Sequence, residues 1–308
     1  MRWLLSTLLA VAITAGCLWF LLTPEIARSL WRLAAEARPL PILAAFLIGA
    51  GVQWLRAWRF AVMSTGRLGL PGANLVRVAF QLNALNFILP LRLGELSYPV
   101  LMRRHYGYGL VHSAGILLLA RAFDLATVGA ILLGTAAWLG LAGAHPLVFG
   151  LGALALALSP FALALGGRAL QPHLTRLPHV GSFAARLTLG LAALADPRAA
   201  MATVALGFAV WLAFGFSAML VADAVVATVP AATAMLGALS GSIAFALPIN
   251  GIAGIGPSQA AWVAATTLTG VPWNDAVLSA LALHAVVLTN ALVFGALATL
   301  PAAGTAAK

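Results

Sequence analysis

FQLNALNFILPLRLGELSYPVLMRR, residues Phe80–Arg104, decides how this 308-residue chain is read. Its apolar runs are cut by Pro90, Gly94, Glu95 and the arginines Arg92, Arg103 and Arg104. Ionisable residues and helix breakers are costly in hydrocarbon, so their gathering at one place marks a functional site. A second stretch, Phe245–Gln259 (FALPINGIAGIGPSQ), answers the first. Phe87-Ile88-Leu89-Pro90 and Phe245-Ala246-Leu247-Pro248 share an aromatic-x-Leu-Pro pattern, and each runs on into glycine-containing sequence instead of helix. Paired interruptions at corresponding positions in two halves of a membrane protein point to a site between the halves.

The composition around these stretches is that of a polytopic membrane protein. It is 63% hydrophobic and 8% charged, with a mean hydropathy of +1.03, which excludes disorder and argues against a soluble domain. Lys and Arg number 17 against 7 Asp and Glu, and every basic residue except Lys308 is Arg. The arginines lie in short segments between apolar runs and form no long basic tract, so topology and anionic headgroups account for them and nucleic acid does not. Cys17 is the only cysteine and the six histidines show no metal-binding spacing, so neither a disulfide nor a metal or other cofactor is expected. No GxSxG, acid-rich metal motif or Walker lysine occurs, and no enzymatic activity is expected.

Apolar length defines six spans, near Trp3–Leu22, Pro41–Phe60, Val111–Leu139, Leu147–Leu165, Ala200–Val221 and Ala276–Leu300. The first run follows Arg2 but is long for a signal sequence and leads into Thr-Pro-Glu, so it reads as a retained helix. Residues 24–39 carry a helical pattern with Trp31 as an interfacial anchor, and either a surface helix or a plain connector fits. A short surface helix is expected over Phe183–Leu194. The runs around 76–110 and 228–270 are too short and polar to span, and each reads as a re-entrant hairpin. Arg-rich segments at 56–104 and 168–198 and Arg-free connections at 140–146 and 222–230 put the first two in the cytoplasm, with both termini. The three arginines of 24–39 then face outside, against the rule. The hairpins enter from opposite sides, which makes residues 41–139 and 200–300 an inverted repeat within a single membrane domain spanning 1–308.

Glu95 has two readings: an interfacial carboxylate in water, or a carboxylate held near Arg92, Arg103 or Arg104, tuning a cationic pocket or exchanging a proton. Arg121 and Asp124 sit one turn apart in an apolar helix and are expected to pair, as a structural tie or as part of a pocket. If they form a closed pair, Asp124→Asn should be milder than Arg121→Ala. Arg56 and Arg59, at the end of the second span, read as interfacial snorkelling residues. His284 reads as a neutral core histidine, with Asn290 as its neighbour. Asn83, Asn86 and Asn250 would satisfy backbone freed at the breaks. Gly251, Gly254 and Gly256 would permit a tight turn whose amides can receive an anion.

The combination of Asn86, Pro90, Arg92, Gly94 and Glu95 with Arg121-x-x-Asp124 and the Pro-x-x-Gly-x-x-Gly-x-Gly-x-x-Gln element of 248–259 resembles a known family. It is that of bacterial and archaeal membrane proteins related to the transmembrane flippase domain of lysylphosphatidylglycerol synthase, which includes hopanoid-biosynthesis-associated membrane proteins. The resemblance runs from the first span to the last and implies the form without the soluble aminoacyl-transferase domain of two-domain members. It implies an all-α protein of the bacterial inner membrane that moves a lipid between leaflets; no ATP site is visible in the sequence, so a gradient or passive movement is expected. The expected lipid is a phospholipid, a hopanoid or a polyprenyl-phosphate-linked lipid, and a lipid-biosynthesis enzyme is a candidate partner. A lipid-binding accessory protein that does not transport is the alternative. The candidate lipid-binding residues are Asn86, Arg92, Glu95, Arg103, Arg104, Arg121, Asp124, Gly254, Gly256 and Gln259. The family's late element usually ends in Glu where this chain has Gln259, and its last helix commonly has Arg where this chain has Ala285. Both departures argue for a lipid other than a cationic lysyl-lipid.

Overall fold

A computed structural model describes residues 2–141, 143, 145–174, 194, 196–247 and 249–300. Pro248, the tail with Lys308, and the surface helix expected over 183–194, apart from Leu194, lie outside these residues. The described residues form helices joined by turns and short loops, without strands. The helices are α1 (Arg2–Leu21), α2 (Pro24–Glu36), α3 (Pro39–Thr65), α4 (Ala73–Ile88), α5 (Ser97–Tyr106) and α6 (Leu110–Trp138). They continue with α7 (Pro146–Leu174), α8 (Pro197–Val225), α9 (Ala231–Ala246), α10 (Pro257–Thr267) and α11 (Trp273–Leu297). Two 3-10 segments, Pro90–Leu96 and Ile252–Gly254, interrupt them.

The boundaries follow local chemistry. Proline opens α2, α3, α7, α8 and α10, where its missing N–H costs nothing. Asp196 caps α8 by accepting from the Arg198 amide at 3.1 Å. Gly66 and Gly107 close α3 and α5 in left-handed conformation. α4 and α9 both stop at the Leu of the aromatic-x-Leu-Pro pattern, Leu89 and Leu247, which turn to extended backbone. The residue before a proline is pushed out of the helical region, which ends both helices at the same place.

Among the described residues, four helices, α3, α6, α8 and α11, are long and apolar enough to cross a membrane. They are four of the six expected spans; α1 and α7 occupy the other two, and α7 is apolar over Pro146–Ala162. α4 and α9 have 16 residues each, about 24 Å of helix and short of a full hydrocarbon core.

The order long helix, short helix, 3-10 break, short helix, long helix occurs twice, as α3–α6 and as α8–α11. The packing between these sets is reciprocal: α4 lies on α11, α9 lies on α6, and α3 lies along α8. α3 and α8 run antiparallel. Arg38 at the start of α3 pairs with Asp223 near the end of α8, Ala45 O accepts from Ser217 at 3.2 Å, and Arg59 lies beside Gly207. The two Phe of the repeated pattern, Phe87 and Phe245, stack on each other at 5.2 Å. α1 crosses both 3-10 segments, with Thr14 Oγ1 accepting from the Ile252 amide at 2.8 Å.

One apolar core joins the end of α3 to α4, α5 and α6, and a second joins the start of α3 to α8–α11. α2 is held at Ile26, which is fully buried, while Trp31 is exposed as an interfacial anchor would be.

Candidate functional site

Between the two cores lies a cavity of about 350 Å³ lined by α3, α4, α6, α8–α11 and the first 3-10 segment. Its charged walls come from three elements. Arg56 projects from α3, Arg92 and Glu95 from the 3-10 segment, and Arg121 and Asp124 from α6; Arg59, one turn beyond Arg56, reaches Asp124 from behind.

Asp124 is the hub. Its Oδ1 accepts from Arg59 Nη1 at 2.7 Å and from Trp211 Nε1 at 2.9 Å, and its Oδ2 accepts from Arg121 Nη1 at 3.0 Å. The Arg59 side chain is 1% exposed and that of Asp124 7%. A carboxylate so enclosed is tolerable only because its lone pairs meet charged and neutral donors together. Arg121 also sets its Nε 3.0 Å from Glu95 Oε1, an ion pair in which the N–H is not aimed at the oxygen. Arg92 pairs with the same Glu95 oxygen. The chain Arg92–Glu95–Arg121–Asp124–Arg59 thus joins the 3-10 break to α6 and α3.

Arg92 also ties the two sets of helices together. Its Nη1 donates to Phe245 O at 2.9 Å, and its guanidinium lies over the Phe245 ring, 5.2 Å from the centroid. That carbonyl is freed by the end of α9 and also accepts from Asn250 Nδ2 at 2.7 Å. Arg92 holds φ +57, a left-handed conformation that is unfavourable for a residue with a Cβ. Ala253 in the second 3-10 segment holds φ +56, so each break contains one such residue.

Arg56 has a different standing. Its guanidinium lies 5.4 Å from the centre of the Trp211 ring, and among the described residues it makes no hydrogen bond and no ion pair. A void of about 20 Å³ beside it, lined by Arg59, Asn83, Asn86 and Arg121, has room for one water. On the opposite wall, Gln259 Oε1 accepts from the Gly256 amide at 2.7 Å and from Ser258 Oγ at 3.1 Å.

Of the residues expected from sequence, Asn86, Arg92, Glu95, Arg121, Asp124 and Gln259 line the cavity. Arg103 and Arg104 do not: both are exposed in the last turn of α5, where cations suit the free carbonyls. Gly254 and Gly256 also lie off the cavity. A Cβ on Gly254 would meet Phe245 and Phe87 at 2.8 and 3.0 Å, and one on Gly256 would meet Ile13 at 3.1 Å, so both glycines serve close packing. Asn250 satisfies the α9 terminus as expected, whereas Asn86, which lines the cavity, has a buried Oδ1 with no partner among the described residues. His284 is a cavity residue beside Phe87, and Asn290 donates to Phe46 O at 2.7 Å instead of partnering it.

The snorkelling reading of Arg56 and Arg59 is corrected: both turn inward. The spacing of Gln53, Arg56 and Arg59 at three-residue intervals, one polar stripe on an apolar helix, is the signal that marks them. Trp211 carries no such signal, because an indole in an apolar helix looks the same whether or not its N–H has a buried acceptor.

With the geometry in view, the chain can be assigned. It is a multi-pass membrane protein with a charged cavity among its spanning helices. It belongs to the family described as Lysylphosphatidylglycerol synthase TM region, which it matches over residues 7–295. No curated protein and no solved structure shows a comparable match.

Proposed function

We propose that this protein moves an anionic or isoprenoid-type lipid between the leaflets of the bacterial inner membrane, by binding the headgroup and without covalent chemistry. Membership of a membrane-lipid family supports a lipid ligand. The observation that carries the reading is the cavity itself, in which arginines outnumber carboxylates at the meeting point of two broken segments. Burying ions there is costly, and a structural tie needs only one well-matched pair.

The mechanical part rests on the repeated order of elements. Antiparallel α3 and α8 and the reciprocal packing of α4 on α11 and of α9 on α6 are what a two-fold axis in the membrane plane produces. In this reading α4 with α5, and α9 with α10, are re-entrant pairs turning at the 3-10 segments. The contact of Arg92 and Phe87 with Phe245 is where the halves part as access alternates. The cavity takes a headgroup, and the chains stay in the bilayer.

Reconstitution into liposomes with a panel of labelled lipids tests the proposal. Accelerated movement of an anionic lipid, reduced at least about tenfold in Arg56→Gln and Arg92→Gln, is expected. Tight lipid binding with no movement of any lipid would favour the accessory-protein alternative.

A further inference from the structure

Among the described residues, the charge of the cavity and of the network behind it can be counted. Arg56, Arg92 and Arg121 line the cavity and Arg59 stands behind Asp124, so four positive charges meet the two negative ones of Glu95 and Asp124, leaving two in excess. No other acid can alter this, because all seven acids of the chain stand at described positions and the remaining five are elsewhere. Glu25 and Glu36 are exposed around α2, Asp196 caps α8, Asp223 pairs with Arg38, and Asp275 accepts from Thr228. The other polar lining groups, Asn86, Ser242, Ser258 and Gln259 among them, are uncharged, and His284 can only add positive charge. A water in the small void would satisfy an arginine N–H but would neutralise nothing.

From this we infer that the cavity is matched to a headgroup carrying two negative charges at one phosphorus, a phosphomonoester borne by a lipid. The inference rests on the lipid-translocation reading and narrows its substrate. A phosphodiester supplies one charge and leaves one buried guanidinium uncompensated. Two diester headgroups would balance the count but would bring two glycerol backbones into about 350 Å³. A phosphomonoester has a second pKa near 6, so it is dianionic at neutral pH, and the surplus of arginine favours that form. Its three terminal oxygens suit forked guanidinium donors. Arg56, without an acid of its own and held against Trp211, is the residue left for it. Arg92 and Arg121 share a single Glu95 oxygen and can turn part of their donor set to the ligand.

Binding titrations on the purified full-length protein in nanodiscs at pH 7.5 test this, with phosphatidic acid, phosphatidylglycerol and phosphatidylcholine as lipids. Glycerol 3-phosphate and inorganic phosphate serve as soluble competitors. Phosphatidic acid should bind about tenfold or more tightly than phosphatidylglycerol, and the soluble phosphates should compete only at far higher concentration. Two variants that each remove one unit of net charge should bring the lipid ratio close to one. Arg56→Gln does so by deletion. Gln259→Glu does so by addition, keeping the oxygen that accepts from Gly256 and Ser258. Equal affinity for the two anionic lipids, or an unchanged ratio in either folded variant, would overturn the inference. Competition by glycerol 3-phosphate as strong as that of the lipid would overturn its lipid part. Failure of translocation with the phosphatidic acid preference intact would instead strike the transport reading and leave this one standing.

Discussion

Asp124 accepts from three donors on three helices, so at the scale of single residues the network is asymmetric. Removing Arg121 leaves the carboxylate with Arg59 and Trp211. Neutralising Asp124 strands Arg59, whose side chain is 1% exposed, with no counter-charge. The order expected from an isolated Arg121–Asp124 pair is therefore reversed. Asp124→Asn should lower stability by about 3 kcal/mol and Arg121→Ala by about 1 kcal/mol, and thermal unfolding in detergent reads the difference. Equal melting of both variants would mean that Arg59 is not the principal partner. Arg92 offers a second measurement, because its φ of +57 strains any side-chain-bearing residue. Both Arg92→Ala and Arg92→Gly lose the guanidinium, yet Arg92→Gly should unfold about 1 kcal/mol less readily than Arg92→Ala. The reverse order would show that Arg92 is not in the left-handed region.

At the scale of elements, the first 3-10 segment is held in place by one glycine. A Cβ on Gly94 would lie 2.3 Å from the Leu85 carbonyl carbon and 2.4 Å from the Asn86 amide nitrogen. These are backbone atoms and cannot swing aside, so the segment and α4 would have to separate, carrying Arg92 and Glu95 out of register with Arg121. Gly94→Ala should cost about 1–3 kcal/mol and should also weaken lipid binding. Gly134 in α6 has no atom within 4 Å of the added Cβ. Gly134→Ala should leave binding unchanged and raise stability by up to about 1 kcal/mol through helix propensity. Equal effects of the two substitutions would remove the close crossing from the account of the site.

At the scale of the whole molecule, the antiparallel pairing of α3 with α8 requires their ends to emerge on opposite sides. By the distribution of arginine, residues 60–110 and 167–199 are expected to face the cytoplasm, and 140–146 and 222–230 the outside. In a Cys17→Ala background, cysteines at Gly143 and Ala227 should react with an impermeant maleimide added outside. One at Gly69 should react only after the membrane is opened. Labelling of Gly69 from outside together with protection of Gly143 would invert the assignment and place the mouth of the 3-10 break on the other leaflet.

The membrane class, the two breaks, the spans α3, α6, α8 and α11, and the pairing of Arg121 with Asp124 were legible from sequence. Apolar run length, the exclusion of helix by Leu-Pro, and three-residue spacing on a helix are local properties. Which arginine compensates which carboxylate was not. Arg59 reaches Asp124 across 65 residues and Trp211 does so across 87, and only the crossing of α3, α6 and α8 brings them together. The same helix packing sent Arg56 inward to the cavity and left Arg103 and Arg104 in the exposed last turn of α5. An arginine at the end of an apolar helix can reach either way with its long side chain, so sequence determined that the charges exist. The packing of neighbouring helices decided which of them are buried together, and hence that, among the described residues, the cavity and the network behind it hold four arginines against two carboxylates.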